Sequence, residues 1–352
     1  MKRIAALLLA MVCLLSLPAM AEEIPIFDSL LDARDYLNEQ TLTCPEEISF
    51  RLSDPDEYDG ADFLACARSI GGQFRVNGWM DGDVVTLSYT YYPGMRIYHA
   101  VDVGDAADLT DDELAAAQIA CDVAAEALEQ SEDTFNLMLY LHNWLCENVT
   151  YEAMPEDYDE MPRVCGAVGA LVDGRANCQG YADAFRLLGL LCGLEVRKQE
   201  GFDSDGGGHD WNVVCIEGDW FIVDVTWDDV DDSDTWNYAY LNAGTDVNNY
   251  TWNAGAAAAD VCSITYPRMW FYTRTGREYS DVADMARAAY FARRDDGVEV
   301  FRGVVYQQGL DWEDLSQAIL ALAQERGKKC SWHIACSNRG PYSYYSVRWT
   351  QW

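Results

Sequence analysis

Apolar positions in this chain recur with two periods, and the switch between them divides it into regions. Between Glu22 and about Gly104, a helical stretch (Leu30 to Asn38) precedes a strand over Ile48–Leu52. A second helix near Ala61 to Ser69 is followed by the alternating run Val84-Val85-Thr86-Leu87-Ser88-Tyr89-Thr90-Tyr91, which reads as a strand. From about Ser280 to Trp352 the same order returns: a helix over Asp281–Arg294, a strand over Val298–Arg302, a helix over Trp312–Glu325, then strands around Cys330–Ala335 and Tyr342–Trp349. The repeated order, the Phe-Arg pair in each first strand and the Tyr-rich last strand suggest an internal duplication. Two unrelated small α/β modules fit the same pattern.

The centre begins with helices. Thr110-Asp111-Asp112-Glu113 fits a capping box before the Ala-rich stretch Leu114–Leu128. Ser131 or Asp133 can cap the next helix, whose stripe of Leu137, Tyr140, Leu141, Trp144 and Leu145 marks a buried face, with His142 beside it as a structural residue. From Gln179 the apolar positions Tyr181, Ala184, Phe185, Leu188, Leu191 and Cys192 again lie on one helical face. Asn177 is a good N-cap and Gly193 a plausible stop, which puts Cys178 at the first turn. There the positive end of the helix dipole stabilises a thiolate. Cys192, deeper on the apolar face, has no such help.

His209-Asp210-Trp211-Asn212-Val213-Val214-Cys215-Ile216 reads as a strand, Glu217-Gly218 as a two-residue turn, and Asp219–Thr226 as the returning strand. In that register Ile216 pairs with Asp219 and His209 with Thr226, leaving Asp224 as the diagonal neighbour of His209 on one face. A thiol nucleophile needs a nearby imidazole to shuttle a proton and a carboxylate to hold that ring. Of the four histidines, His209 alone is placed to serve; His99 and His333 sit in the flanking regions.

Asn177-Cys178-Gln179-Gly180-Tyr181-Ala182, His209-Asp210-Trp211-Asn212 and Trp220–Asp228 together resemble the bacterial transglutaminase-like domain, over roughly Ser131 to Trp252. The resemblance implies an α+β, papain-like core, with a Cys-bearing helix packed on an antiparallel sheet, flanked by the two small α/β modules. It also implies acyl transfer on protein or peptide amides through a thioester. Cys178 takes the nucleophile's place, His209 the general base's and Asp224 the orienting acid's. Hydrolysis and cross-linking both remain open, with hydrolysis preferred because water is abundant outside cells. A non-catalytic extracellular scaffold that keeps the fold is the rival. Asp210 departs from the family, which has a small apolar residue after the His; a carboxylate there would raise the imidazole pKa. The backbone N–H of Cys178 is a natural oxyanion donor, and no second donor stands out.

Met1-Lys2-Arg3, the apolar run Ile4 to Leu17 and Ala19-Met20-Ala21 read as a signal peptide over residues 1–21. The expected divisions are then 22–105, 106–258 and 259–352, in an exported chain without a membrane anchor after cleavage. The formal charge of −35 repels nucleic acid and anionic lipid. Of the twelve cysteines, ten besides Cys13 and Cys178 can pair as disulfides or stay as buried thiols. No Cys/His spacing suggests zinc, and no cofactor is expected. Asp228–Asp234 is dense enough in carboxylates for calcium but lacks the glycine and glutamate of an EF-hand loop, and a solvated acidic loop is the alternative. The glycine-rich Asp203–Gly208 lacks a following basic helix, so it reads as a flexible loop beside a cleft rather than a phosphate cradle. Trp211, Trp220, Trp227, Trp236 and Trp252 crowd this half, most as core and one or two as cleft lining.

Overall fold

The computed structural model describes residues 24–70, 73–154, 161–202, 206–229, 237–244, 251–252 and 268–352. The expected signal peptide, Cys262, Asp203–Asp205, the 230–234 part of the acidic stretch and the Trp236 and Trp252 side chains lie outside the described residues.

The first module runs β1 (Ile26–Phe27), α1 (Leu30–Thr41), β2 (Glu47–Leu52), α2 (Gly60–Ser69), β3 (Gln73–Asp81) and β4 (Val84–Tyr91). Ser29 caps α1 by accepting the Asp32 N–H, and Asp59 with Asp62 forms a reciprocal box at the start of α2. The strand order is β1-β2-β4-β3, with β1 parallel to β2 and the remaining pairs antiparallel. Helix α1 supplies the crossover that a parallel pair needs. The alternation in β4 sends Val85, Leu87 and Tyr89 into a core with Leu30, Leu37, Phe50 and Phe63.

The central region runs α3 (Pro93–Val103), α4 (Asp111–Gln130), α5 (Thr134–Asn148), β5 (Thr150–Tyr151), α6 (Met161–Val164), β6 (Arg175–Ala176), α7 (Cys178–Leu191), β7 (Glu195–Phe202), β8 (Gly208–Ile216), β9 (Asp219–Val223), α8 (Val225–Asp228), β10 (Leu241–Ala243), β11 (Thr251–Trp252) and α9 (Phe271–Arg274). The Thr110–Glu113 capping box is present, and Asp133 caps α5. The sheet order is β10-β9-β8-β7-β11, antiparallel throughout. Tyr181, Ala184, Phe185 and Leu188 of α7 share one core with Trp211, Val213, Val214 and Ile222 of the sheet and Leu141 and Leu145 of α5. Helix α3, which the sequence pattern groups with the first module, packs instead on α7: Ile97 joins the central core, and the Gly94 N–H donates to buried Asp183 at 2.9 Å.

The last module is β12 (Glu278–Tyr279), α10 (Val282–Asp296), β13 (Val300–Val305), α11 (Trp312–Glu325), β14 (Ser331–Arg339) and β15 (Tyr342–Gln351). Its order β12-β13-β15-β14, with the first pair parallel and the rest antiparallel, matches that of the first sheet. Phe50 and Phe301 hold corresponding places, buried on the second strand opposite Val85 and Val347 of the last. In β15, Tyr345, Val347 and Trp349 face the module's own core, whereas Tyr342 and Tyr344 join the central one, where Trp270 lies 4.8 Å from Tyr342. The short outer strands β1 and β12 and the long β3 carry too few alternating apolar residues to stand out in the sequence.

All ten described cysteines are free thiols. Among the described residues no helix is long and apolar enough to cross a membrane.

Glycine 180 lets α7 sit against the chain before it. A Cβ there would lie 2.5 Å from the Val164 carbonyl oxygen and 2.8 Å from the Ala176 Cβ, whereas one at Gly60 meets nothing within 4 Å. Gly180→Ala is therefore expected to lower the unfolding free energy by about 1–3 kcal/mol. Gly60→Ala is expected to change it by less than about 1 kcal/mol, in the stabilising direction. Urea denaturation of the two variants checks the contrast.

Candidate active site

Three local structures converge on the His209 ring. The first is the start of α7. Asn177 adopts extended backbone (φ −88°, ψ −174°) and its side-chain oxygen accepts the Gly180 N–H at 3.1 Å. That cap leaves Cys178 as the first helical residue, partly exposed, with its own N–H unused by the helix. The Asn177 amide nitrogen donates to the Cys165 sulfur at 3.1 Å, which fixes the cap against the preceding segment. Asp183, one turn on, accepts from Gly94 N–H at 2.9 Å and Ala167 N–H at 2.8 Å, so the same helix is tied to two neighbours behind the thiol.

The second is β8. Its hairpin with β9 has the expected register, Ile216 opposite Asp219 and Asn212 opposite Val223, and Glu217 and Gly218 both take positive φ (56° and 87°). The Asn212 side chain donates to the Ala182 carbonyl at 3.0 Å, tying the strand that bears His209 to the helix that bears Cys178.

The third is the turn after β9. The returning strand stops at Val223 rather than reaching Thr226, and His209 pairs across to Gly201 of β7 rather than to Thr226. The physical reason is Asp224. Its Oδ1 accepts the Trp227 N–H at 3.1 Å and starts the one-turn helix α8. Its other oxygen, Oδ2, receives the His209 Nε2–H at 2.7 Å. The carboxylate thus reaches the ring from a helix cap and not from the expected diagonal of a ladder.

The Cys178 sulfur lies close enough to the His209 ring to raise its pKa, so the three expected residues meet. Trp211 stacks near the ring at 6.1 Å and 16°, and Trp227 lies at 5.1 Å, tilted by 35°. These indoles keep water from the His209–Asp224 bond, whose carboxylate is 1% exposed. Burial pulls the imidazole pKa down, but the Asp224 charge and bond and the Cys178 sulfur outweigh it and raise it to about 10.

Asp210 does not take part. Alternation along β8 turns it to the other face, where it pairs with the fully buried Lys198 ammonium, itself 4.6 Å from the Tyr92 ring centre. The rise in imidazole pKa expected of Asp210 comes instead from Asp224 and Cys178.

A second Cys/His/Asp set lies behind the first. His142 Nε2 is 3.2 Å from Asp228 Oδ2, and the Cys146 sulfur is 3.9 Å from His142 Nδ1. Burial raises the Cys146 thiol well above its ordinary value, so the same residue types give an inert cluster here. Asp228 is thereby removed from the acidic stretch read as a calcium candidate, and Asp229 accepts from the Tyr181 hydroxyl. Among the described residues no group of His, Cys, Asp and Glu is arranged to hold a metal ion.

Residues 122–225, from α4 to the start of α8, match the transglutaminase-like superfamily. They form a transglutaminase-like domain. The chain is 26% identical over 118 residues to the kyphoscoliosis peptidases of Homo sapiens and Mus musculus, a match taking in 30% of this chain and 18% of each of those proteins. A solved TGase structure shares 14% identity, with a TM-score of 0.31 over 62% of this chain and 63% of that one. Within the transglutaminase-like domain Asn212 and Tyr181, and just beyond it Trp227, support the site without announcing it in sequence. All three stand inside the quoted motifs, but nothing in the sequence separates their supporting contacts from ordinary core packing.

Because the His209 pKa is raised on folding to about 10, the fold holds the imidazolium more tightly than the unfolded chain does. This stabilisation is complete below the ordinary value of 6.5 and is lost as pH rises through about 10. The stability advantage of the wild type over His209→Gln is expected to be largest near about pH 6 and to shrink steadily toward about pH 10. Urea unfolding of both proteins across that range checks it.

Proposed function

We propose that this chain is a cysteine enzyme acting on protein or peptide amides, with Cys178 as nucleophile, His209 as proton carrier and Asp224 as its orienting acid. The observation that carries this reading is the His209 ring, held by Asp224 at 2.7 Å and close enough to the Cys178 sulfur for the two to interact. The Cys178 sulfur adds to the amide carbonyl carbon, and the N–H at the start of α7 faces the developing oxyanion. His209 passes its proton to the departing amine as the C–N bond breaks, leaving a thioester on Cys178. Water, deprotonated by the now neutral His209, then attacks the thioester; the acid is released and the sulfur leaves as thiolate. An amine in place of water would give a cross-link. We favour water, in keeping with the peptidase name of the curated relatives. In this reading the enzyme works after export, as the apolar run Ile4 to Leu17 suggests.

Among the described residues the paired terminal modules carry no comparable cluster, and they serve as accessory units. Burial raises the thiols of Cys44 and Cys66 to about 12 and Cys192 to about 11, which leaves them poor nucleophiles near neutrality. Iodoacetamide near neutral pH is therefore expected to label Cys178 well ahead of every other cysteine, as read by peptide mass spectrometry. Labelling of Cys178 no faster than a free thiol would favour a binding role for the fold. Cys178→Ala is expected to reduce turnover of a peptide mixture by about four to six orders of magnitude. Its melting temperature is expected to stay within about 3 °C of the wild type.

A further inference from the structure

Helix α8 joins two His–Asp pairs. It is a single turn, Val225–Asp228, too short to hold itself. Asp224 at its start holds His209, and Asp228 at its end is held by His142 of α5, with both side chains of that second pair fully buried. Both oxygens of Asp228 also accept the Tyr240 N–H at 3.1 Å, and the Asp228 N–H donates back to the Asp224 carbonyl at 3.2 Å. The two carboxylates are thus four residues apart on one rigid turn, and any shift of Asp228 carries Asp224 and Trp227 with it.

We propose that His142 is a positioning residue for the reaction: by holding Asp228 it fixes α8, and through α8 it sets Asp224 and Trp227 against His209. His142 lies 86 residues from Asp228 in sequence, and its hydrogen-bond partners Asn143, Asp228 and Cys146 include none of the three reacting residues. The groups that face this pair are Asn143, Cys146 and Glu147 from α5, Asp224 and Asp229 at the two ends of α8, Tyr238 and Tyr240 from the segment beyond, and Tyr272 from α9. Burial raises the Asp228 carboxyl to about 6, with the His142 bond and charge opposing that rise. Removing His142 therefore lets Asp228 take up a proton at higher pH, and the anchor of α8 weakens inside the working range.

The inference rests on reading Cys178, His209 and Asp224 as the reacting set, and its test separates the two. The measurement is the rate of Cys178 alkylation by iodoacetamide against pH, per folded molecule, in the wild type, His142→Leu, His142→Gln and Asp224→Asn. His142→Leu is expected to slow alkylation by about tenfold to about a hundredfold and to move its acid limb to higher pH. His142→Gln, which keeps a neutral donor toward Asp228, is expected to recover most of the rate. In an Asp224→Asn background, His142→Leu is expected to add nothing further, because it acts through Asp224. A His142→Leu protein that is less stable but alkylates at the wild-type rate and pH overturns the proposal. So does a loss that adds in full to that of Asp224→Asn. If His142→Leu does not fold, Asp228→Asn in both backgrounds decides by the same two criteria. An Asp224→Asn protein with a wild-type profile would instead overturn the assignment of the reacting set.

Discussion

The bond from His209 to Asp224 is the constraint on which the rest of the site depends. An imidazole buried without a partner would be neutral at ordinary pH and free to turn. The carboxylate at 2.7 Å holds the ring and keeps it charged, and the Cys178 sulfur adds to that hold. The bond forms only if a helix start, a strand and a helix cap arrive at one place. Asn177 delivers the first, the Asn212–Ala182 bond the second, and the Asp224–Trp227 cap the third.

Burial separates the Cys/His/Asp set proposed for chemistry from the one that serves as scaffold. Cys178 is partly exposed at a helix start beside a charged ring. Cys146, on the apolar face of α5, is 8% exposed, and its thiol is raised by burial. The ring of His142 is therefore left to hold a carboxylate rather than to serve a nucleophile. The buried Lys198–Asp210 pair and the Asp183 contacts are likewise structural: the first joins β7 to β8, and the second fix the Cys178 helix against its neighbours.

Much of this was legible in the sequence, and the failures have physical causes. The helix carrying Cys178, its Asn177 cap and the Glu217-Gly218 turn follow from local rules, because each is decided by a few neighbouring residues. The sequence pattern also placed His209 and Asp224 together, yet by the wrong route. It extended β9 to Thr226, since Val223, Val225 and Thr226 all favour strand; the Asp224 carboxylate, which caps the next turn, overrides that preference. Asp210 was misread because its partner, Lys198, lies on a strand whose register is set by tertiary packing. The role of Asp228 was hidden in an acidic run, where nothing local separates a buried carboxylate from a solvated one. The matching order of the two terminal sheets was visible only in part, since β1, β3 and β12 pair through backbone bonds that leave little trace in side-chain pattern.

The most direct measurement is an NMR titration of the His209 ring in the resting wild-type protein and in Asp224→Asn. The structure predicts that the ring stays protonated in the wild type to about pH 10 and that the midpoint falls markedly toward 6.5 once the carboxylate is gone. A wild-type midpoint at or below 6.5, unmoved by the substitution, would contradict the charged His209 ring between Cys178 and Asp224 on which the proposed chemistry stands.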